Sequence, residues 1–152
     1  MNQLGKDYER LLSRDIRKSM GKFYTPDYIV DYILSLTLKN ADIVKNPFIK
    51  VLDPSCGTGF FLIKAYEILR DKFEDSLDEL NSEYSEKEYI ISEGSSNIKI
   101  KGSEYWVKHR LHYHILKNCI YGADLDLEAI EIAVRALKEM ETDSIGDINF
   151  VN

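Results

Sequence analysis

Apolar residues recur along the chain with two spacings, one typical of amphipathic helices and one typical of short buried strands. Spacings of three and four residues predict five helices, over residues 3–19, 26–39, 59–80, 104–118 and 127–141. Short apolar runs predict three strands, over residues 48–52, 119–123 and 148–151. Because strands alternate with helices in the later part of the chain, the pattern predicts βαβ units, an α/β fold with a parallel sheet flanked by helices.

The pattern also divides the chain into regions. Residues 1–40 are expected to form an N-terminal helical extension, and residues 41–152 an α/β domain. Residues 81–103 are polar and acidic, which indicates a flap or insertion in that domain. The short apolar runs at 89–91 and 98–100 predict a small hairpin within it.

Turn and capping residues support these boundaries. Thr25 is expected as the N-cap of the second helix and Pro26 as its first helical residue, since both residue types are favoured at these positions. Asn46-Pro47 predicts a turn before the first strand.

The composition is that of an ordinary globular chain of one domain. The 152 residues are 44% hydrophobic and 30% charged, which is sufficient for a substantial core. No apolar run approaches the roughly 20 residues that cross a bilayer, and the charged N-terminus has no signal-peptide core. Cys56 and Cys119 have neither metal nor redox spacing, so we expect free thiols in a reducing cytoplasm.

The net charge of −6 is unevenly distributed. Residues 67–93 contain ten acids and three bases, a net charge of −7, whereas residues 1–22 contain six bases and three acids, a net charge of +3. We interpret these segments as a solvated acidic face and a mildly basic first helix. The negative net charge argues against binding of a nucleic-acid backbone by this chain alone.

A short glycine loop joins the first predicted strand to the next helix. In Asp53-Pro54-Ser55-Cys56-Gly57-Thr58-Gly59, the glycines let the backbone turn sharply and approach a ligand. The loop is neither a dinucleotide fingerprint, whose last glycine would fall at Leu62, nor a P-loop, which requires a closing Gly-Lys-Ser/Thr. The carboxylate of Asp53 suits a ligand that carries positive charge. The alternative is a plain turn with Thr58 as the helix N-cap.

A second acidic motif, Tyr121-Gly122-Ala123-Asp124-Leu125-Asp126, ends the next strand. An acid at this place in an α/β fold is positioned to bind a ribose diol. Asp126 directly precedes a helix and is expected to be its N-cap, so Asp124 is the candidate for the ribose. Ligands of open parallel sheets lie outside the carboxyl ends of the strands, and the sequence therefore predicts that Asp124 and the glycine loop share one rim of the sheet.

These motifs together resemble those of S-adenosylmethionine-dependent N6-adenine DNA methyltransferases. The resemblance rests on Gly21-Lys-Phe-Tyr-Thr-Pro26, Asp53-Pro-Ser-Cys-Gly-Thr-Gly-Phe-Phe-Leu62 and Tyr121-Gly-Ala-Asp-Leu-Asp126. Their order is similar to the gamma arrangement of type I modification subunits and of fused type II restriction–modification enzymes. The glycine loop alone occurs in many methyltransferases, whereas its combination with the Phe-Tyr-Thr-Pro element is specific.

The resemblance implies a Rossmann-like methyltransferase sheet, incomplete at its C-terminus, with S-adenosylmethionine as cofactor. Phe23, Tyr24, Thr25 and Pro26 would flank the methionine part of the cofactor. Its amino and carboxylate groups would be held by Asp53 and by the loop that follows, consisting of Pro54, Ser55, Cys56, Gly57, Thr58, Gly59 and Phe60. Asp124 would bind the ribose hydroxyls, with Asp126 beside it, and Leu125 would lie against the adenine ring.

The sequence also departs from this family. Members carry an Asn/Asp-Pro-Pro-Tyr/Phe motif that holds the flipped target adenine, and this sequence has none; Asn46-Pro47-Phe48 lies before the first strand. We therefore expect an N-terminal fragment that has no catalytic residues of its own and is inactive alone. The whole enzyme would act on DNA with a specificity or restriction subunit, and the exposed edge of the last strand predicts self-association.

Other interpretations stay open from the sequence alone. The methyl acceptor could instead be RNA or protein, or the chain could be a non-catalytic module that binds and regulates a partner. His109, His112 and His114 are expected to be neutral surface or interface residues rather than metal ligands. Tyr105, Trp106 and Tyr113 are expected to pack in the structure rather than to stack on bases.

Overall fold

The computed structural model describes Tyr8 and residues 25–93, 96–141 and 148–152. The rest of the predicted first helix, together with Phe23 and Tyr24, lies outside these residues. None of the described helices is long and apolar enough to cross a membrane.

The helices and strands alternate much as the sequence predicts. In chain order, the main elements are α1 Asp27–Thr37, β1 Val51–Asp53, α2 Phe60–Asp75, α3 Leu77–Tyr84, β2 Glu88–Glu93, β3 Ser96–Lys101, α4 Gly102–Tyr105, α5 Leu111–His114, β4 Ile120–Ala123, α6 Leu127–Lys138 and β5 Asn149–Val151. A 3₁₀ turn, Lys108–Arg110, precedes α5, and a π-helical turn, Ile115–Cys119, follows it.

The three predicted strands form a parallel sheet in the order β1–β4–β5. Asp53 lies opposite Gly122, and Ala123 lies opposite Val151, so the carboxyl ends of all three strands meet at one edge. We call this edge the rim. The α/β class and the parallel sheet flanked by helices are confirmed, as expected for part of a Rossmann-like methyltransferase fold. β1 begins three residues later than predicted, because Ile49 is held in a turn by its N–H···O bond to Asn46.

The helix α2 supplies seven buried residues to the core. Its inward face recurs with helical spacing, and the buried side chains include Leu62, Ala65, Leu69 and Phe73. The predicted helix over 59–80 is in fact two helices. Ser76, with φ −107° and ψ 11°, interrupts the helical geometry between α2 and α3.

The start of α1 differs by one position from the prediction. Pro26 has an extended backbone, with ψ 143°, and its carbonyl accepts the first helical bonds from Ile29 and Val30 at 2.9 and 3.2 Å. Pro26 is therefore the N-cap, and the assignment of Thr25 to that place was wrong. No side chain caps this helix.

The acidic insertion contains the predicted hairpin. Strands β2 and β3 pair antiparallel, with Glu88 opposite Lys101 and Ile91 opposite Ile98. The hairpin packs on the body of the domain rather than standing apart, since Ile91 is buried and the ring of Tyr89 stacks on Tyr105 at 4.3 Å between centroids.

The predicted helix over 104–118 is broken into short pieces. Trp106 is fully buried, stacks on Phe73, and donates its indole N–H to Tyr89. The backbone leaves helical geometry at Trp106, with ψ 68°, as this large side chain occupies the core. Packing roles for Tyr105 and Trp106 are thereby confirmed.

Two of the three histidines are buried, which contradicts the prediction of surface positions. His112 and His114 are 0% and 1% exposed, while His109 is exposed. The broken helix turns them inward, where tyrosine hydroxyls bond their Nδ1 atoms: Tyr66 bonds His112 at 2.8 Å and Tyr105 bonds His114 at 2.7 Å. Within the described residues, no three potential ligand side chains converge on a metal site.

Candidate cofactor-binding site

The glycine loop is tied to the end of the neighbouring strand by two backbone donors. The amide of Cys56 donates to the carbonyl of Ala123 at 2.9 Å, and the amide of Gly57 donates to the carboxylate of Asp124 at 2.8 Å. The structure therefore brings the loop and Asp124 together at the rim, as the sequence predicts. These bonds also fix the loop against β4.

Glycine is required at two points of the loop for different reasons. Gly57 and Gly59 both have positive φ, +50° and +83°, where an L side chain is strained. A Cβ on Gly57 would meet nothing within 4 Å, whereas a Cβ on Gly59 would lie 2.8 Å from the Cβ of Ala133 in α6. Gly59 thus allows the close packing of the loop on α6, and Gly57 leaves open space beside the backbone.

Helix α2 begins directly after the loop. Gly59 is its N-cap, and no side chain caps it. Thr58 is buried and does not serve as the cap, so the alternative that assigned the N-cap to Thr58 was wrong in that respect. The positive end of the helix dipole points to the rim, where it favours a negatively charged group.

Two carboxylates flank this helix end. Asp53 accepts the amide of Ser55 at 3.0 Å, and Asp124 accepts the amides of Gly57 and Asp126 at 2.8 and 2.9 Å. Among the described residues, neither carboxylate forms an ion pair. Burial raises the pKa of Asp53 above its usual range, the Ser55 amide opposes this shift, and the charge of Asp124 adds to it. The pair therefore favours a ligand with positive charge.

The thiol of Cys56 lies in the same loop but is held neutral. It is buried, and burial, together with the charges of Asp53 and Asp124, raises its pKa to about 12. Cys119 is buried elsewhere in the core, with its pKa also raised to about 12 by burial. Both are free thiols, as predicted.

An apolar side chain stands exposed between the acids. Leu125 is 96% exposed and lies between Asp124 and Asp126. Such an exposed leucine at the rim offers an apolar surface to a flat ring. Pro54 and Ser55 are also exposed, while Phe60 is buried and helps to anchor α2.

Asp126 serves as the N-cap of α6, as predicted, because its carboxylate accepts the Ala129 amide at 3.4 Å. It has a second partner that the sequence did not indicate. The hydroxyl of Tyr8 donates to the other carboxylate oxygen at 2.5 Å, across 118 residues of sequence. No local pattern could have revealed this contact, since Tyr8 fits an ordinary apolar position of a helix.

The structure describes two residues of the Phe-Tyr-Thr-Pro element, Thr25 and Pro26. Phe23 and Tyr24 are outside the described residues, and Thr25 and Pro26 are exposed at the start of α1. Among the residues that the structure describes, no hydrogen bond joins Thr25 or Pro26 to the glycine loop. Their place beside a cofactor stays a prediction.

Comparison with known proteins agrees with this geometry. Residues 1–134 match the model of the family described as N-6 DNA Methylase. The chain is also 28% identical over 131 residues to the Type II restriction enzyme and methyltransferase RM.Eco57I of Escherichia coli. That match covers 80% of this chain and 12% of the relative, so the chain spans about an eighth of the relative's length. Because the family model covers most of the sequence, including all three motifs, the chain belongs to the N-6 DNA methylase family.

Proposed function

We propose that the rim binds S-adenosylmethionine, and that the whole protein transfers its methyl group to the N6 of adenine in DNA within a restriction–modification system. The observation that carries the proposal is the pair of carboxylates, Asp53 and Asp124, on either side of the glycine loop without an ion-pair partner in the described residues. A ligand with ammonium and sulfonium charges fits such a pair.

The described residues fit this cofactor in further respects. Gly57 leaves open space at the backbone where a ligand approaches, and the uncapped start of α2 favours the cofactor's carboxylate. Asp53 would accept hydrogen bonds from the amino group, and Asp124 from the ribose hydroxyls. Leu125 would cover a face of the adenine ring.

When bound, S-adenosylmethionine supplies an electrophilic methyl group on a positively charged sulfur. The contribution of this chain would be to bind and orient that donor. Since the Asn/Asp-Pro-Pro-Tyr/Phe motif is absent from the sequence, we propose that the chain alone binds the donor but transfers no methyl group.

Calorimetric titration of this chain with S-adenosylmethionine tests the proposal. We expect saturable binding that is lost or greatly weakened in Asp124→Ala and weakened in Asp53→Asn, with no binding of NAD. Glu131→Gln, which changes an exposed carboxylate on α6, is the matched control and should bind as the unsubstituted chain does. Equal affinity in Asp124→Ala would contradict the assignment of the rim.

A methylation assay tests the second part. The chain is incubated with DNA and labelled S-adenosylmethionine, alone and within the complete protein. We expect label in DNA N6-methyladenine only with the complete protein. Transfer by the chain alone would refute the proposed inactivity, and labelled RNA or protein without labelled DNA would refute the proposed acceptor.

A further inference from the structure

The N-terminal part of the chain reaches the rim at one described point. Tyr8 is helical and half-buried, and its hydroxyl donates to a carboxylate oxygen of Asp126 at 2.5 Å. Asp126 stands between the strand end that carries Asp124 and the helix α6. Tyr8, which is close to the start of the sequence, is therefore in direct contact with Asp126 of the candidate site.

The bond is connected through the residue Asp126 to two further hydrogen bonds. The backbone amide of Asp126 donates to the Asp124 carboxylate at 2.9 Å, and the other oxygen of that carboxylate accepts the Gly57 amide at 2.8 Å. Tyr8, Asp126, Asp124 and Gly57 are thus linked in series. A displacement of the Asp126 side chain acts on the backbone whose amide orients Asp124.

The capping bond of the Asp126 side chain is weak compared with its bond from Tyr8. The capping bond from the Ala129 amide to Asp126 is 3.4 Å long, near the limit of a hydrogen bond. The hydroxyl bond to a carboxylate is of the short, charge-assisted kind. Tyr8 therefore contributes more than the cap does to fixing this side chain.

We infer that Tyr8 is a positioning residue of the cofactor site, which holds Asp126 and thereby orients Asp124 toward its ligand. The inference rests on the proposed function, because Asp124 is taken to bind the cofactor ribose. It extends the site to a residue outside the three sequence motifs. It also predicts that Tyr8 contributes to cofactor affinity through a contact with the protein rather than with the cofactor.

Tyr8→Phe removes only the hydroxyl and tests the inference in two ways. In the chain without ligand, hydrogen exchange measured by NMR should accelerate at the Asp126 and Gly57 amides, by about tenfold for the loss of a charge-assisted bond. In calorimetric titration, the dissociation constant for S-adenosylmethionine should rise by about tenfold. Tyr32→Phe, at an exposed tyrosine of α1, is the matched control and should change neither.

Asp126→Ser provides a second variant. Serine retains the ability to cap α6 but is too short to reach Tyr8. In its presence, Tyr8→Phe should have no further effect on exchange or affinity, because the two substitutions remove the same bond. Additive effects would overturn the link through Asp126.

The outcomes separate this inference from the proposed function. If the unsubstituted chain binds S-adenosylmethionine and Tyr8→Phe binds it equally, the positioning role is refuted and the cofactor site stands. If the unsubstituted chain does not bind, the cofactor site and its extension to Tyr8 both fail. Unchanged amide exchange in Tyr8→Phe refutes the linkage whatever the binding result.

Discussion

The carboxylate of Asp124 accepts the Gly57 amide at 2.8 Å, which joins the end of β4 to the loop after β1 across 67 residues. The same carboxylate accepts the Asp126 amide with its other oxygen. Asp124 is thus held in place before any ligand arrives. Each oxygen can accept a further bond, so the residue can orient the loop and contact a ligand at the same time.

Asp124→Asn should destabilise the fold as well as weaken binding. The new amide group presents a donor to one of the two backbone N–H groups, so at least one bond to a charged acceptor is lost, at a cost of about 1.5–3 kcal/mol. Urea unfolding followed by circular dichroism measures the change. Glu131→Gln serves as control, and an equal midpoint for Asp124→Asn and the unsubstituted chain would contradict a stabilising role of the two bonds that Asp124 accepts.

The two loop glycines should respond differently to alanine. Gly59→Ala combines a strained positive φ with a Cβ placed 2.8 Å from Ala133, and we expect a loss of about 2–4 kcal/mol. Gly57→Ala meets open space and should lose only about 1–2 kcal/mol, from backbone strain. Chemical denaturation of both variants makes the comparison, and a larger loss at Gly57 would be inconsistent with the packing described.

Ala133→Gly tests the source of the difference. When Ala133→Gly is combined with Gly59→Ala, the Cβ at position 133 that would clash is removed. The Cα at position 133 would still lie 3.1 Å from the new Cβ at position 59. We expect the double variant to be more stable than Gly59→Ala. The recovery should be partial, because glycine at position 133 lowers the helix propensity by about 1 kcal/mol. No recovery would place the cost in the backbone strain alone.

Buried His114 should make the protein less stable in mild acid. Its Nε2–H donates to the Pro47 carbonyl, Nδ1 accepts from Tyr105, and burial lowers its pKa from 6.5 to about 4. The unfolded chain therefore binds more protons between pH 6.5 and 4. The stability that neutral His114 contributes is complete above this window and is lost as pH falls through it, by up to about 3 kcal/mol.

Two measurements check this pH dependence. NMR titration of the folded chain should show His114 uncharged until near pH 4. Denaturation at pH 7 and pH 5 should show a smaller pH effect in His114→Gln than in the unsubstituted chain, whereas His109→Gln, at an exposed site, should keep the full effect. A His114 ring that titrates near pH 6.5 would refute the burial argument.

The two cysteines should be unreactive while the chain is folded. Both pKa values are raised to about 12 by burial, which leaves a thiolate fraction on the order of 10⁻⁴ at pH 8. A thiol reagent should label neither cysteine in native buffer and both in denaturant. Rapid native labelling of Cys56 would show that the glycine loop opens.

The exposed edge of β5 should promote self-association of the chain. In the described part of the chain β5 pairs only with β4, and Val151 is 65% exposed, so backbone groups and an apolar side chain are available to another strand. Light scattering should show an average molar mass that increases with protein concentration. Val151→Lys should reduce this increase. A single monomeric mass at all concentrations would contradict this prediction.

The sequence by itself determined the order of elements, the glycine loop and the hairpin. These depend on local signals: apolar spacing, turn residues and the backbone freedom of glycine. It also located the candidate site, because a parallel sheet brings the residues after its strands to one rim. Asp53, Gly57, Gly59 and Asp124 follow from that rule.

The tertiary structure alone decided which contacts complete the core and the site. A predicted helix is interrupted at the buried Trp106, and His114 lies in the core rather than on the surface. Tyr8 forms a hydrogen bond with Asp126. Each outcome depends on partners far away in sequence, such as Phe73 for Trp106 and Pro47 for His114. Local periodicity carries no information about such partners, because they are selected by the fit of side chains between elements once the sheet and helices have assembled.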